Sequence, residues 1–431
     1  MQVSVENVGS LERKLTIRIP ADAYESQVRS RLAEAGRTVR LKGFRPGKVP
    51  VKVIEQRFGA QIRGEAMSEL VRTSFQQAVD EQKLRPAVPP SIATTGQPVD
   101  GQIEYTATFE VMPEIGKIDV ATLQVNKPSA NVQDVDVDNM IETLRQQRRT
   151  WVPAERGAQN NDMVLFEFAA RGEGFTFPAE GRERVGTILG SAAMSNGLED
   201  HLVGHKDGDE FEADVAFPAD FRLQALAGKQ AHVTIKIVKV QEAQLPELND
   251  AFLALFGIGE GGMERFRADV RANLERELKG MLGLRLKNEV INKLTEAHPG
   301  IELPKGMVDA EAQALARQAE AQAQQQGRTI SADASAYVDL ARRRVTAGML
   351  IGELARQNNV RPDSRRVAET LASIASTYEE PQQVVELYQR DPQLMTGLQN
   401  RVLEDQVAEW VAANAQTTEQ PLSFSEAMRP A

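Results

Sequence analysis

The chain has 431 residues, of which 41% are hydrophobic and 5% aromatic, and its formal net charge is -10. A chain of this length is expected to form two to four domains, and the low aromatic content predicts small aliphatic cores. The absence of cysteine excludes disulfides, thiol catalysis and cysteine-ligated metal. The sequence contains no apolar run long enough to span a bilayer and no signal peptide pattern, so we predict a cytoplasmic protein.

The first part of the chain predicts a sheet covered by helices. Apolar residues alternate with polar ones at 15–19 and again, most clearly, at 103–111, as in half-buried strands. Between them, a stripe at 24–32 predicts one helix and a stripe at 62–75 a second, longer one. Pairing of the two strands would give a compact α+β domain that ends near Pro113.

The middle of the chain changes from a connector to short strands. Residues 123–128 predict an extended piece, and 134–149 predict a helix with acidic residues at its start and arginines at its end, as the helix dipole favours. From 151 to 244, short alternating runs are separated by glycine-rich turns. This pattern predicts a small, mostly antiparallel β domain.

The last part of the chain is predicted to be almost entirely helical. Regularly spaced proline and glycine breaks divide residues 245–416 into long helices followed by shorter ones. The stretch 311–326 is nearly all Ala, Gln, Glu and Arg, so we predict a helix that projects into solvent. Residues 417–431 show no periodicity and are predicted to be disordered.

The octapeptide at residues 43–50, GFRPGKVP, is the most informative motif. Gly43 and Gly47 permit unusual backbone angles, and the two prolines stiffen the loop. Such a loop holds Phe44 in water, which is unfavourable unless a partner covers it. Basic residues lie in and around the loop: Arg37, Arg40, Lys42, Arg45, Lys48, Lys52 and Arg57. The pattern suits docking on RNA phosphates beside an apolar protein groove, and its alternative interpretation is an ordinary solvated loop.

The loop resembles the ribosome-docking signature of the trigger factor family of bacterial chaperones, Gly-Phe-Arg-x-Gly-Lys-x-Pro. Every fixed position is met, and the order of segments along the chain agrees. One departure is Pro46, where some members carry a third cation. The resemblance implies docking on ribosomal protein and rRNA at the exit tunnel through the following residues: Gly43, Phe44, Arg45, Gly47 and Lys48.

The middle domain resembles an FKBP-type prolyl isomerase in segments 164–168, 197–200, 202–209 and 217–221. Isomerisation of an X-Pro bond needs no nucleophile, only an apolar pocket that favours the twisted peptide over the planar one, against a barrier of roughly 18–20 kcal/mol. The resemblance implies a pocket lined by Phe168, Phe177, Met194, Leu198, Phe221 and Val233. The alternative is that these residues only form a β-domain core.

Several pocket positions depart from the isomerase pattern. The isoleucine and proline that usually precede the Gly-aromatic-Glu turn are Ser195 and Asn196, and the aromatic pocket floor is Leu198. Pro178 replaces an acidic residue, and Val233 replaces a second aromatic one. Each change makes the pocket less aromatic or less polar, so we expect the fold to persist and the activity to be weak or lost.

Other motifs do not support a cofactor. The 43–50 loop fails the phosphate-loop pattern, and residues 257–262 match G-x-G-x-x-G without a preceding strand or βαβ unit. His201 and His205 are four residues apart, but the position after the first is Leu202 and Gly204 interrupts the helix. We therefore predict no nucleotide, metal or other cofactor.

The family resemblance extends to the helical part and implies a body with two arms that cradles nascent and unfolded polypeptides. Apolar stripes such as Val345, Met349, Leu350 and Leu354 fit either an exposed, adaptable binding surface or an ordinary helix–helix core. The resemblance leaves open whether the free protein forms a homodimer, and no membrane partner is predicted.

The predicted protein is thus an α+β multidomain chaperone that acts without ATP. It combines an N-terminal α+β ribosome-binding domain, an FKBP-like antiparallel β domain and an all-α C-terminal chaperone domain with helical arms. The predicted segments are 1–113 for ribosome binding, 114–150 for the connector, 151–244 for the isomerase-like domain, 245–416 for the helical domain and 417–431 for the tail. The alternatives are a prolyl isomerase that acts off the ribosome and an RNA-binding protein that works through the basic loop.

Overall fold

The computed structural model describes residues 1–39, 41, 44, 49–94, 101–191, 194, 196–219, 221 and 223–429. The chain divides into two compact units. One contains Met1–Pro128 and Gly283–Gln420, and the other contains Ser129–Leu282 and Pro421–Ala431. These units do not coincide with the five predicted segments, because the connector at 114–150 and the helical segment at 245–416 are each divided between the two units. The predicted boundaries stay a prediction.

The N-terminal part of the first unit is an antiparallel sheet covered by two helices. Its elements are β1 (Gln2–Asn7), β2 (Glu12–Pro20), α1 (Ala21–Thr38), α2 (Val51–Glu81), β3 (Ser91–Thr94), β4 (Gln102–Glu110) and then β5 (Gln124–Ser129). The sheet order is β1-β2-β4-β3, and Leu15 in β2 lies opposite Ala107 in β4. Both predicted strands and both predicted helices are therefore confirmed, and the core forms on the face where the alternating apolar residues meet.

The second unit contains the isomerase-like sheet. Its elements are α3 (Asp134–Gln147), β6 (Thr150–Pro153), β7 (Met163–Gly172), β8 (Phe175–Phe177), β9 (Glu183–Ile188), α4 (Asn196–Leu202), β10 (Glu210–Ala216), β11 (Gln230–Gln244), α5 (Asp250–Ala254) and the first part of α6 (Gly262–Ala297). β7 and β11 lie at the centre of a six-stranded antiparallel sheet. The predicted small β domain is confirmed.

The helices of the first unit follow α6. They are α7 (Lys305–Gln325), α8 (Val338–Gln357), α9 (Ser364–Ala375), α10 (Pro381–Arg390) and α11 (Pro392–Asn414), and the chain then continues through β12 (Gln416–Pro421) and α12 (Phe424–Met428). Asp363 and Asp391 cap α9 and α11 by accepting hydrogen bonds from backbone N–H groups of the first turn. The predicted helical region is confirmed.

The C-terminal tail was wrongly predicted to be disordered. β12 pairs with β5, and Ser423 and Glu426 form a reciprocal capping box on α12, whose Ala427 is buried. All six residues of β12 are exposed, so the strand has no alternation of apolar and polar residues that the sequence could show. Its order comes from a partner strand that is distant in the sequence.

The alanine-rich helix α7 was wrongly predicted to have little to bury. Ala312 and Leu315 are buried in a cluster that also contains Val345 and Met349 of α8, and Ala316 is buried as well. Small side chains let two helix backbones approach closely, so an alanine stripe can form a packed face. The apolar stripe of α8 is accordingly helix–helix core, the second of the two interpretations left open above.

A buried carboxylate in α8 joins three parts of the first unit. Glu353 is 7% exposed and accepts hydrogen bonds from Arg356 Nη2 at 2.5 Å and from Gln357 Nε2 at 2.8 Å. Arg85 follows α2, and its Nη1 atom lies 3.8 Å from Glu353 Oε2. Gln357 in turn donates to Gly116 O at 3.0 Å. The hydrogen bond from Arg356 is the main cause that lowers the pKa of Glu353 from 4.5 to about 2.

We predict that Glu353→Gln lowers the free energy of unfolding at neutral pH by about 2 kcal/mol, because it leaves Arg356 without its charged partner. Because the pKa of Glu353 is lower in the folded protein, its ionised carboxylate stabilises the fold above pH 4.5, the value in the unfolded chain. This contribution is lost as the pH falls towards about 2. Urea unfolding, followed through the helical signal, should therefore show a difference at pH 7 that shrinks below pH 4. The exposed Glu369→Gln should change stability by less than about 0.5 kcal/mol, and an effect of Glu353→Gln that is equal at both pH values would contradict the prediction.

Candidate functional sites

The segment between α1 and α2 carries the predicted docking loop, and its C-terminal end is packed. Val49 is 6% exposed, and a Cβ atom added to Gly36 in α1 would lie 3.2 Å from the carbonyl oxygen of Val49. Pro50 precedes α2, and its carbonyl accepts hydrogen bonds from the N–H groups of Val53 and Ile54 at 2.9 and 3.2 Å. The loop therefore starts and ends on two helices that share one core.

Phe44 projects from this junction. Its side chain is 40% exposed, and its backbone N–H donates to Leu41 O at 3.1 Å. The ring is thus partly accessible to solvent, and its role in docking stays a prediction. The described basic neighbours, Arg37, Lys52 and Arg57, are also exposed. The other predicted docking residues lie outside the described residues, and their roles stay predictions: Gly43, Arg45, Gly47 and Lys48.

The six predicted pocket residues lie together in one apolar cluster of the isomerase-like domain. Phe168 lies in β7 opposite Ile235 of β11, and its ring centroid is 6.0 Å from that of Phe177. Phe168, Met194, Leu198 and Val233 are 0% exposed, Phe221 is 7% exposed, and Phe177 is partly buried. The structure thus brings these side chains together, and their contact with a prolyl peptide stays a prediction.

The aromatic side chains of this cluster pack on one another. Phe166 and Phe168 have ring centroids 5.9 Å apart, and Phe217 and Phe221 have centroids 4.8 Å apart. The cluster offers the apolar surroundings that favour a desolvated peptide bond.

A close backbone contact fixes the loop before β7, and sequence reasoning missed it. Gly204 N–H donates to Ala158 O at 2.7 Å, and Ala158 N–H donates to His205 O at 2.8 Å. A Cβ atom added to Gly157 would lie 2.4 Å from Gly204 O. Position 157 therefore has room only for glycine, and no local pattern in the sequence reveals this.

The sequence analysis did not predict two buried carboxylates as site residues. Asp162 is 3% exposed and accepts hydrogen bonds from Arg156 Nη1 at 2.6 Å and from Gln159 N–H at 2.8 Å. Glu199, in α4, is 2% exposed and accepts hydrogen bonds from Thr187 in β9 and from Gly190 and Met194 beyond it. For Glu199, the available signal in the sequence was an acidic residue that directly follows the apolar pocket position Leu198.

The motifs set aside above have other roles in the structure. Residues 257–262 lie between α5 and the first residue of α6, so the element directly before them is a helix and not a strand. His205 lies beyond α4, stacks on Phe211 with ring centroids 3.7 Å apart and is 3.5 Å from Asp209. No group of three or more potential ligands that could hold a metal ion occurs among the described residues.

Comparison with known proteins decides the family. The model of the bacterial trigger factor protein matches residues 1–144, and that of the trigger factor C-terminus matches residues 262–413. Trigger factors from Stenotrophomonas maltophilia and Xanthomonas campestris are 48% and 49% identical over 433 aligned positions, which cover 100% of this chain and of each relative. The chain belongs to the trigger factor family. Its isomerase-like segment, which lies between the two model matches, is included in these full-length alignments of trigger factors.

A solved structure is also similar. It is described as "Promiscuous Substrate Recognition in Folding and Assembly Activities of the Trigger Factor Chaperone", with 17% identity, a TM-score of 0.40 and coverage of 96% of this chain and 99% of the other. Like other trigger factors, the protein is a chaperone of protein folding. None of the described helices has the length and apolarity that crossing a bilayer requires.

Proposed function

We propose that this trigger factor docks on the ribosome through residues 43–50 and shields nascent polypeptides on its helical part without using ATP. The observation that carries the proposal is Phe44, which is 40% exposed at the junction of α1 and α2. A phenylalanine held in water on a supported loop is typical of a contact that a partner completes. Family membership makes the tunnel exit of the ribosome the partner to test first.

Charge supports this docking mode. The chain carries a net charge of -10, yet Arg37, Lys52 and Arg57 are exposed near the loop, and Arg45 and Lys48 add two cations to the loop itself. A locally positive surface on an acidic protein directs RNA phosphates to the loop, because the remaining surface is on balance negative and repels them. The ring would then occupy an apolar groove of a ribosomal protein, beside rRNA that contacts the cations.

Helix α10 offers the best candidate surface for unfolded polypeptides. All ten of its residues are described, and none of them is buried. Leu387 is 55% exposed, Tyr378 just before the helix is 59% exposed, and Val384, Val385 and Tyr388 are only partly covered. When a flexible apolar segment lies on such a face, apolar surface of both partners is removed from water, which favours binding. It therefore suits weak binding of many sequences.

Release without ATP follows from competition. A segment that is only partly covered by a small apolar face gains more from burial in its own fold, where packing is complete. The FKBP-like domain would add a prolyl isomerase activity, and we propose that this activity is weak because the pocket side chains are packed on one another. The alternative, a prolyl isomerase that acts mainly off the ribosome, predicts fast turnover of prolyl bonds.

The proposal is tested by co-sedimentation of the protein with ribosomes and by suppression of aggregation of an unfolded protein, both without nucleotide. We expect binding to ribosomes that weakens as salt rises, together with suppression of aggregation in solution. A protein that neither pellets with ribosomes nor suppresses aggregation, yet rapidly isomerises prolyl bonds, would establish the alternative. Strong binding to free RNA equal to that for ribosomes would instead identify an RNA-binding protein.

We predict that Leu387→Ser raises the protein concentration needed for half-maximal suppression of aggregation at least about threefold, because burial of one leucine contributes about 1.5–3 kcal/mol when complete. Leu255→Ser is the matched control, since Leu255 is also 55% exposed and lies in the connection between α5 and α6, in the other unit. Thermal unfolding should change little in both variants. Equal suppression by wild type and Leu387→Ser would exclude α10 as the binding face.

A further inference from the structure

Glu199 is a buried carboxylate beside the isomerase-like pocket. It lies in α4 directly after the pocket residue Leu198, and only 2% of its surface is exposed. Burial of an ionised carboxylate is strongly unfavourable unless hydrogen-bond donors compensate for the lost water. An uncharged residue of similar size would avoid this cost. The groups that donate hydrogen bonds to Glu199 therefore indicate the role of its carboxylate.

Three described donors to Glu199 lie at and beyond the end of β9. Its Oε1 accepts hydrogen bonds from Thr187 Oγ1 at 2.9 Å and from Met194 N–H at 3.0 Å. Its Oε2 accepts a hydrogen bond from Gly190 N–H at 3.0 Å. The Glu199 side chain therefore fastens Thr187, Gly190 and Met194 to α4.

This fastening joins two sides of the pocket. Met194 and Leu198 are both 0% exposed and share a cluster with Phe168. Met194 is carried by the fastened segment, and Leu198 is carried by the helix that supplies the carboxylate. A site that must favour the twisted peptide needs its surfaces held within a fraction of an ångström, and charged hydrogen bonds restrain a segment more strongly than apolar packing does.

We infer that Glu199 is a positioning residue of the prolyl isomerase pocket, which holds Met194 against Leu198. The inference rests on the proposed isomerase activity of this domain. It assigns the carboxylate no contact with the peptide and no proton transfer, because prolyl isomerisation requires neither. Loss of the carboxylate should therefore affect both the order of the segment and the catalytic efficiency.

The test compares Glu199→Gln with Asp162→Asn in the full-length protein. Glutamine keeps the size of the side chain but places an NH2 group where one oxygen accepted a backbone N–H. The control changes another buried carboxylate of the same domain, which is held by Arg156 and Gln159 rather than by the Met194 segment. Isomerase efficiency is measured on a prolyl tetrapeptide at a temperature where both variants are fully folded.

We expect Glu199→Gln to lower kcat/KM about five- to tenfold and to speed hydrogen exchange in peptides that contain Gly190 or Met194 about tenfold. Asp162→Asn should change both quantities less than about twofold. An inactive wild type would refute the proposed isomerase activity and the inference together. An active wild type with unchanged Glu199→Gln, or an equal loss in Asp162→Asn, would overturn the positioning role and leave the isomerase proposal standing.

Discussion

Phe44→Ala is expected to weaken ribosome binding about three- to sevenfold. Complete burial of a phenylalanine side chain contributes about 1.5–3 kcal/mol, and each 1.4 kcal/mol corresponds to about a factor of ten in the dissociation constant. Because Phe44 is 40% exposed in the free protein, only that part of its surface can be newly buried against a partner, which corresponds to about 0.6–1.2 kcal/mol. The measurement is a titration of ribosomes with labelled protein, followed by sedimentation.

The same variant should leave the salt dependence of binding unchanged. The slope of log affinity against log salt concentration reports on phosphates that cations neutralise, and Phe44→Ala removes no charge. Wild type and variant should therefore give parallel lines that are displaced in affinity. A variant with a shallower slope would show that the loop as a whole has left the ribosome, which is a different defect from the loss of one apolar contact.

Tyr378→Ala is the matched control for this experiment. Tyr378 is 59% exposed, so its truncation also removes an exposed aromatic ring, but from the surface proposed to bind polypeptides. We expect ribosome affinity within about twofold of wild type, with unchanged thermal unfolding in both variants. If Phe44→Ala bound as tightly as Tyr378→Ala, the docking role of the 43–50 loop would be refuted.

Local patterns predicted those elements whose two faces differ in polarity. The alternation at 103–111 identified β4 because one face of the sheet is buried under helices and the other is polar. The glycine- and proline-rich pattern at 43–50 predicted an exposed Phe44, and this residue is 40% exposed. The family resemblance selected six pocket residues, and all six belong to one cluster.

Elements that depend on distant partners could not be predicted in this way. β12 is exposed along its whole length and is ordered by pairing with β5. The alanines of α7 appear too small to form a core until α8 lies against them. The hydrogen bonds of Glu199 and the approach of Gly157 to Gly204 depend on backbone positions that no single segment defines.

Gly157→Ala should destabilise the isomerase-like domain by about 3–5 kcal/mol. Its new Cβ atom would lie 2.4 Å from Gly204 O, closer than any real contact, so the two backbones must separate. Separation also weakens the two hydrogen bonds that link Ala158 to Gly204 and His205, at 2.7 and 2.8 Å. For a domain of this size, the midpoint of thermal unfolding should fall by more than about 10 °C.

Gly186→Ala provides the control, because a Cβ atom there would meet only Leu165 Cδ1 at 3.8 Å, an ordinary contact. Its stability should stay within about 0.5 kcal/mol of wild type, and hydrogen exchange of the β7 and β11 amides would report both outcomes. Since Phe44 and α10 belong to the other compact unit, Gly157→Ala should keep the proposed ribosome binding and suppression of aggregation while it loses the proposed isomerase activity. Loss of all three activities together would show that the chaperone surface depends on the isomerase-like domain, and a stable Gly157→Ala protein would refute the close backbone contact itself.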